Sequence, residues 1–309
     1  MSTDDATPNQ VTPDRRSGRR RRAWVVAVAA ALVAAAALLA FFIALAVASG
    51  PDSALSAWDR RVMDAFIAWR TAGRSQFFWV VTLLGNVGVL AALSVSVVVL
   101  LAVWGRRARA ILVAVGMSIG WAISEVAKLS VDRVRPPAAD ALIALPSSAS
   151  MPSGHAFNTL VFLGLLVYLV FRWRGNRRTR GQASSSPAPP GQQNVRPAAA
   201  VSLAVLAAAV VAVLGAAVVA GLVGVSRVYL GVHWLSDVLG GWSLGGVWLA
   251  VLLGAVVPLA GGRQWVPALL SDRPPARKAM RIALVAAAVI LCVVAYMLTT
   301  QADPLLADL

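Results

Sequence analysis

The residues best able to do chemistry lie in three short polar stretches of an otherwise apolar chain. The only two histidines of the chain, His155 and His233, fall in two of these stretches. They are PSGH at residues 152–155 and SRVYLGVHWLSD at 226–237, while the third stretch, KLSVDRVRP, covers 128–136. Imidazoles, fixed cations and a carboxylate in such short segments favour proton transfer and nucleophilic attack on an anionic ester.

Phosphate chemistry needs cations around the non-bridging oxygens, because the charge on these oxygens must be held through the transition state. Lys128, Arg135 and Arg227 can supply these cations, and arginine is suited to bidentate phosphate contacts. Ser153 and the backbone N–H groups beside Gly154 can donate to a phosphate oxygen at or near the start of a helix, whose dipole favours anions. The three stretches together therefore predict a phosphate-binding site.

The same site needs a nucleophile and a proton donor for the leaving oxygen, and His233 and His155 are the available pair. His233 and Asp237 are four residues apart, so on a helix they share one face. Asp237 can then accept a hydrogen bond from one ring nitrogen of His233 and leave the other free to attack phosphorus.

The pattern resembles the three-part signature of the type-2 phosphatidic acid phosphatase superfamily, which the vanadium-dependent haloperoxidases share. The match is complete in residue type, spacing and order and covers roughly residues 50–258. The signature reads Lys128-x6-Arg135-Pro136, Pro152-Ser153-Gly154-His155 and Ser226-Arg227-x5-His233-x3-Asp237.

The resemblance implies a metal-independent phosphatase that needs no cofactor. It implies that His233 is the nucleophile that forms a phosphohistidine, that Asp237 orients it and that His155 is the general acid. The residues it implies for phosphate binding are Lys128, Arg135, Ser153, Gly154 and Arg227. Phosphoryl transfer to another acceptor, haloperoxidase chemistry and a non-catalytic lipid-binding or lipid-flipping protein are the alternatives.

The composition predicts an all-α, polytopic membrane protein. Of 309 residues, 59% are hydrophobic and 13% charged, and the mean hydropathy is +0.75, which is more apolar surface than a soluble domain hides. The single cysteine, Cys292, lies in an apolar run and excludes a disulfide framework. Apolar runs predict six core spans and a seventh, C-terminal span, at about 23–48, 77–104, 110–127, 155–171, 199–222, 233–258 and 281–299.

These runs divide the chain into three regions. Residues 1–22 are expected to form a disordered basic tail, residues 23–258 a six-span phosphatase core with a flexible insert at 172–198, and residues 259–309 a basic loop with the extra span and a short tail.

The basic residues predict the orientation in the membrane. Of the 28 Lys and Arg residues, 20 lie on the side of the N-terminus and 8 on the other side. The positive-inside bias therefore puts the N-terminus in the cytoplasm and the three polar stretches outside. The net charge of +15 is accounted for by these cytoplasmic loops, so no nucleic-acid partner is expected.

The expected partner is a lipid phosphate in the outer leaflet of the cell membrane. Polyprenyl (undecaprenyl) pyrophosphate is favoured by the outward-facing site, and phosphatidate and phosphatidylglycerophosphate are the alternatives. The oligomeric state is left open by the sequence.

Three secondary interpretations concern the surroundings of the site. Residues 50–76 carry an apolar stripe with two tryptophans, which fits either an interfacial helix or a packed surface helix, and none of these residues is assigned to chemistry. Arg133 is interpreted as pairing with its neighbour Asp132 or supporting the loop. Glu125 can pair with Lys128, three residues further on.

Overall fold

The structure, a computed structural model, describes residues 15–183 and 198–256. Over these residues the chain forms eight α-helices and no strand, which confirms the predicted all-α membrane fold. The helices are α1 (Arg15–Val47), α2 (Ala54–Ala68), α3 (Ala72–Leu83), α4 (Val87–Val103), α5 (Arg107–Val131), α6 (Gly154–Ala183), α7 (Ala198–Tyr229) and α8 (Leu235–Leu249), with a 3₁₀ turn at Ala138–Asp140 and a π-helical turn at Ala250–Val256.

Five helical segments in the described part of the chain are long and apolar enough to cross a membrane. They are Trp24–Val47, Arg107–Val131, Gly154–Phe171, Ala207–Tyr229 and Leu235–Gly254. Helices α3 and α4 are long and apolar enough only as a pair, and they are bent by 42° at the break between them, as in a broken span or a re-entrant loop. Large apolar side chains such as Val33, Leu129 and Val211 are exposed on the outer faces of these spans, as expected for surfaces that contact lipid.

The break between α3 and α4 differs from the single continuous span expected at 77–104. The side chain of Asn86 accepts hydrogen bonds from the N–H groups of Gly88 and Val89 and so starts α4 as a new helix. A Cβ on Gly85 would lie 2.5 Å from Val223 and 3.0 Å from the ring of His155. The bend therefore brings backbone against the second polar stretch at a point where only glycine fits.

Two helix ends also differ from expectation. Helix α1 begins at Arg15, within the basic tail, and α6 continues to Ala183, beyond the apolar run. Arginine is a good helix former, and a helix nucleated in an apolar run propagates cheaply into neighbouring residues. The rest of the tail (1–14), the rest of the insert (184–197) and the expected seventh span (281–299) lie outside the described residues.

Helix α6 lies at the centre of the bundle and contacts α4, α5, α7 and α8, while α1 covers the other side of α8. Phe157, Val161 and Leu165 on α6 are completely buried. Helix α2 is a packed helix, because Met63 is completely buried in a cluster with Val228 of α7 and other apolar residues of α6 and α8. The core thus fixes the N-terminal end of α6, where the second polar stretch lies.

Candidate active site

The three polar stretches meet at one end of the bundle. The first ends α5 and continues into the following loop, the second starts α6, and the third joins α7 to α8. The N–H of Ser153 donates to the carbonyl oxygen of Asp237 (2.9 Å), and the N–H of Ser150 donates to the carbonyl oxygen of Arg133 (2.8 Å). Backbone hydrogen bonds therefore fix the three stretches relative to one another.

Two unusual backbone conformations shape these connections. Asp132 ends α5 with a φ of 45°, and its N–H donates to the carbonyl oxygen of Lys128. Gly231, in the turn between α7 and α8, has a φ of 75°, and a Cβ there would overlap the carbonyl oxygen of Asp140. Glycine is therefore required at this turn, which leads directly into His233.

The ring of His233 lies between a carboxylate and a guanidinium group. Its Nδ1 is 3.4 Å from Oδ2 of Asp237, and its Nε2 is 3.2 Å from an Nη atom of Arg135. Arginine only donates hydrogen bonds, so Nε2 is the acceptor nitrogen, and Nδ1 carries the hydrogen that faces Asp237. The lone pair of Nε2 therefore points to the side of the pocket where the arginines lie.

Burial lowers the pKa of His233 from 6.5 to about 4. The hydrogen bond and charge of Asp237 raise this pKa, whereas the charges of Arg135 and Arg227 lower it. The imidazole is consequently neutral at pH 7, which is the protonation state that a nitrogen nucleophile requires.

Asp237 is completely buried and accepts several hydrogen bonds. Arg133 donates to Oδ1 (2.7 Å), the N–H of Trp234 donates to Oδ2 (2.9 Å), and the hydroxyl of Ser150 donates to Oδ2 as well. Such saturation holds a carboxylate in one orientation. The face of Asp237 that meets His233 is therefore set by its other partners.

Three buried donors near the histidines have no hydrogen-bond partner among the described residues. They are Nε of Arg227 and the hydroxyl groups of Ser153 and Thr159. An Nη atom of Arg227 donates to the hydroxyl of Thr82 (2.7 Å), which fixes the direction of the guanidinium group. Buried polar groups are normally satisfied, so these donors are available to an anionic ligand.

The start of α6 completes the site. A Cβ on Gly154 would lie 3.3 Å from Nζ of Lys128, so the ammonium group sits against the first residue of this helix. His155 follows in the first turn, within range of the charges of Lys128, Arg135 and Arg227 and of the ring of His233. The ion pair expected between Lys128 and Glu125 is confirmed, at 2.7 Å.

The structure therefore brings together all eight site residues predicted from the sequence. The eight are Lys128, Arg135, Ser153, Gly154, His155, Arg227, His233 and Asp237.

Sequence reasoning missed two buried charged residues beside this set: Arg133 contacts Asp237, and Asp59 contacts Arg133. Arg133 is buried, and its carboxylate partners are Asp59 (2.8 Å) and Asp237 (2.7 Å) in place of the expected Asp132. Asp59 comes from α2 and is 1% exposed. Its only signal in the sequence is an acidic residue on a helix with an apolar stripe, which does not point to a site.

Comparisons with known proteins agree with the geometry. The family model of the PAP2 superfamily matches residues 108–259. Phosphatidylglycerophosphatase B of Bacillus subtilis (strain 168) is 28% identical over 205 residues, which are 66% of this chain and 86% of that protein.

A solved structure is similar as well. The crystal structure of a transmembrane PAP2-type phosphatidylglycerolphosphate phosphatase from Bacillus subtilis matches with a TM-score of 0.57 and 26% identity, over 74% of this chain and 98% of that one. The chain therefore belongs to the PAP2 superfamily, as a multi-pass membrane phosphatase.

Proposed function

We propose that this protein hydrolyses a lipid phosphate or lipid pyrophosphate through a phosphohistidine formed on His233. The observation that carries this proposal is the environment of the two ring nitrogens. Nδ1 faces the fixed carboxylate of Asp237, and Nε2 faces a guanidinium group in a pocket with free anion donors. This arrangement presents a neutral nucleophile to a bound phosphate.

In the first step, Nε2 of His233 attacks phosphorus, and the bond between phosphorus and the leaving oxygen breaks. His155 gives its proton to that oxygen, so the alcohol or lipid monophosphate leaves with this oxygen protonated. The imidazole of His233 becomes positively charged as the P–N bond forms. Asp237 stabilises this charge through the Nδ1 hydrogen, which is the role of the carboxylate beside a catalytic histidine.

In the second step, water attacks the phosphohistidine. His155 takes a proton from the water, the P–N bond breaks, and its electron pair returns to Nε2 of His233. Inorganic phosphate is released, and His155 is again protonated for the next turnover. One histidine thus stays a nucleophile while the other exchanges protons.

We propose that the charge of the phosphoryl group is held by side-chain cations without a metal ion. Arg135, Arg227 and Lys128 converge on the histidines, and fixed cations in a water-poor site stabilise developing charge strongly. Among the residues that the structure describes, no group of three His, Cys, Asp or Glu side chains could hold a metal ion. Activity is therefore expected to persist in a chelator and to be inhibited by vanadate.

An apolar groove supports a lipid as the substrate. A cavity of about 690 Å³ lies between α4 and α5 and reaches Asn158, one turn after His155 on α6. Its walls carry mainly valine, leucine, alanine and methionine, with Trp121 on α5. We infer that an acyl or prenyl chain lies in this groove while its phosphate enters the polar pocket.

Two substrates are proposed, each on a separate observation. The excess of basic residues on the N-terminal side supports a site that faces outward, in the outer leaflet, and thus polyprenyl pyrophosphate. The name of the Bacillus subtilis relative favours phosphatidylglycerophosphate as the second candidate.

The proposal is tested by measuring phosphate release from both lipids by purified full-length protein and its His233→Ala variant. We expect the variant to remain folded and to lose all detectable turnover, since no other group carries the phosphoryl intermediate. Substantial phosphate release by His233→Ala protein would refute the mechanism. The ratio of kcat/KM for the two lipids then decides between the substrates, and lipid flipping that survives in the variant would favour the non-catalytic alternative.

A further inference from the structure

A chain of buried charges connects the candidate nucleophile to a helix that contributes nothing else to the site. Arg133 lies between two carboxylates, with one Nη atom 2.7 Å from Asp237 and the other 2.8 Å from Asp59. The side chains of both aspartates are 0% exposed and that of Arg133 is 5% exposed. These charges are therefore shielded from solvent, and each depends on the others for compensation.

A second connection runs through Ser236. The N–H of Ser236 donates to Oδ1 of Asp59 (3.0 Å) and its hydroxyl donates to Oδ2. An Nη atom of Arg133 lies 2.6 Å from the same hydroxyl. Ser236 directly precedes Asp237 in the first turn of α8, so Asp59 fixes both the backbone at this turn and the cation that holds Asp237.

We propose that Asp59 is a positioning residue for the phosphoryl transfer, acting on His233 through Arg133 and Asp237. This inference rests on the proposed function of His233. The shared guanidinium group of Arg133 binds Oδ1 of Asp237 and leaves Oδ2 facing Nδ1 of His233. Without Asp59, Arg133 keeps one carboxylate partner only and is drawn fully onto Asp237, which weakens the hold of Asp237 on the imidazole.

The charge count explains why both carboxylates are needed. One cation between two carboxylates leaves a net negative charge beside His233, which matches the positive charge that its ring acquires in the transition state. Removing the charge of Asp59 leaves Arg133 and Asp237 with no net negative charge. The effect is therefore expected in kcat rather than in KM, because the ground-state phosphate does not touch Asp59.

The test compares Asp59→Asn and Asp59→Glu with the wild-type protein in purified, full-length form. We expect kcat of Asp59→Asn to fall by about tenfold to a hundredfold, as is usual for partners that orient a ligating or catalytic side chain. KM is expected to stay within about twofold. Asp59→Glu keeps the charge and is expected to recover part of kcat.

A matched control is available on the same helix. Arg60 of α2 pairs with Asp140 of the outer loop, at a partly exposed position. Asp140→Asn removes an ion pair of α2 without touching the buried charges, so kcat is expected to stay at the wild-type value. A loss of kcat in this control equal to that of Asp59→Asn would assign the effect to the packing of α2 and overturn the proposal.

A double variant tests whether Asp59 acts through Arg133, because the effects of coupled residues on kcat are not additive. If Asp59 acts through Arg133, the double variant Asp59→Asn/Arg133→Gln is no slower than Arg133→Gln alone. Losses that multiply, or a folded Asp59→Asn protein with the wild-type kcat, would overturn the proposal.

Two further measurements keep the test decisive. If Asp59→Asn does not fold, Asp59→Ser, which also removes the charge, decides in its place: reduced kcat at unchanged KM supports the positioning role, and wild-type kcat refutes it. His233→Ala is measured in parallel. Turnover by His233→Ala protein would refute the proposed function itself. If His233→Ala is inactive and Asp59→Asn has the wild-type kcat, only the role of Asp59 is refuted.

Discussion

Replacing Arg135 should change both the rate and the pH dependence of phosphatase activity. Its guanidinium group donates to Nε2 of His233 and to the carbonyl oxygens of Ser148, Ala149 and Val232. These backbone contacts aim the group at the nitrogen that is proposed to attack phosphorus. Loss of a single donor to a transition-state oxyanion typically lowers kcat by about 10²–10³-fold, and we expect Arg135→Gln to fall in this range at pH 7.

The direction of the pH effect follows from the causes of the low pKa of His233. Burial contributes most to the value of about 4, and Arg135 lowers the pKa further. Removing the charge of Arg135 therefore raises the pKa of His233 towards its ordinary 6.5 and moves the acid limb of the kcat/KM profile to higher pH.

The size of this effect is bounded by the two pKa values. At pH 5 the neutral fraction is about 90% for a pKa of 4 and about 3% for a pKa of 6.5. The additional loss of Arg135→Gln at pH 5, relative to its loss at pH 7, is thus at most about 20–30-fold. The exposed Arg61 of α2 provides the matched control, since Arg61→Gln changes the same charge away from the pocket.

The assay measures initial rates of phosphate release from a lipid phosphate between pH 4 and pH 8. Arg135→Lys, which keeps the charge and loses the fork of donors, should lower the rate without moving the acid limb. An acid limb that stays in place or moves to lower pH in Arg135→Gln would refute the electrostatic reasoning. A rate within threefold of the wild-type value at pH 7 would refute the role of Arg135 in the transition state.

Two further predictions concern the bent span and the groove. Gly85→Ala should lower kcat and thermal stability, because its Cβ would press on Val223 and on the ring of His155. In the control variant Gly73→Ala the Cβ meets open space, so enzyme assays and thermal unfolding should show no change in either quantity. Ala91→Trp, which fills the groove between α4 and α5, should raise KM for a long-chain lipid phosphate and leave kcat/KM for a short, water-soluble phosphate ester unchanged; equal effects on both substrates would contradict a chain-binding groove.

The membrane spans and the place of the site could be predicted from the sequence, for different reasons. Runs of alanine, valine and leucine predict helices from composition alone. The site could be predicted because histidine, arginine and aspartate are costly near lipid. Their spacing at the ends of the apolar runs therefore indicates a functional site. The pairing of Glu125 with Lys128 followed directly from helix periodicity.

Other features depend on contacts between residues that are far apart in the sequence, and these contacts cannot be predicted from local patterns. Asp59 and Asp237 are far apart in the chain, and nothing in α2 distinguishes Asp59 from Asp64, which is exposed. The break at Gly85 and Asn86 interrupts an otherwise apolar run, and the glycine there lies against Val223 and the ring of His155, which belong to other helices. Arg133 was assigned to its neighbour because local pairs are the default when the partners across the bundle are unknown.

The buried charges come from helices that are synthesised at different times. Asp59 and Arg133 are synthesised first and can neutralise each other as soon as α5 has been inserted, whereas Asp237 arrives only with α8. Until then, Arg133 has Asp59 as its only carboxylate partner of this pair, and the proposed nucleophile His233 lacks the carboxylate of Asp237. Helix α8 is the last helix of the described core, so a chain halted before α8 is synthesised would hold Lys128, Arg135 and Arg227 without Asp237, and we expect it to release no phosphate.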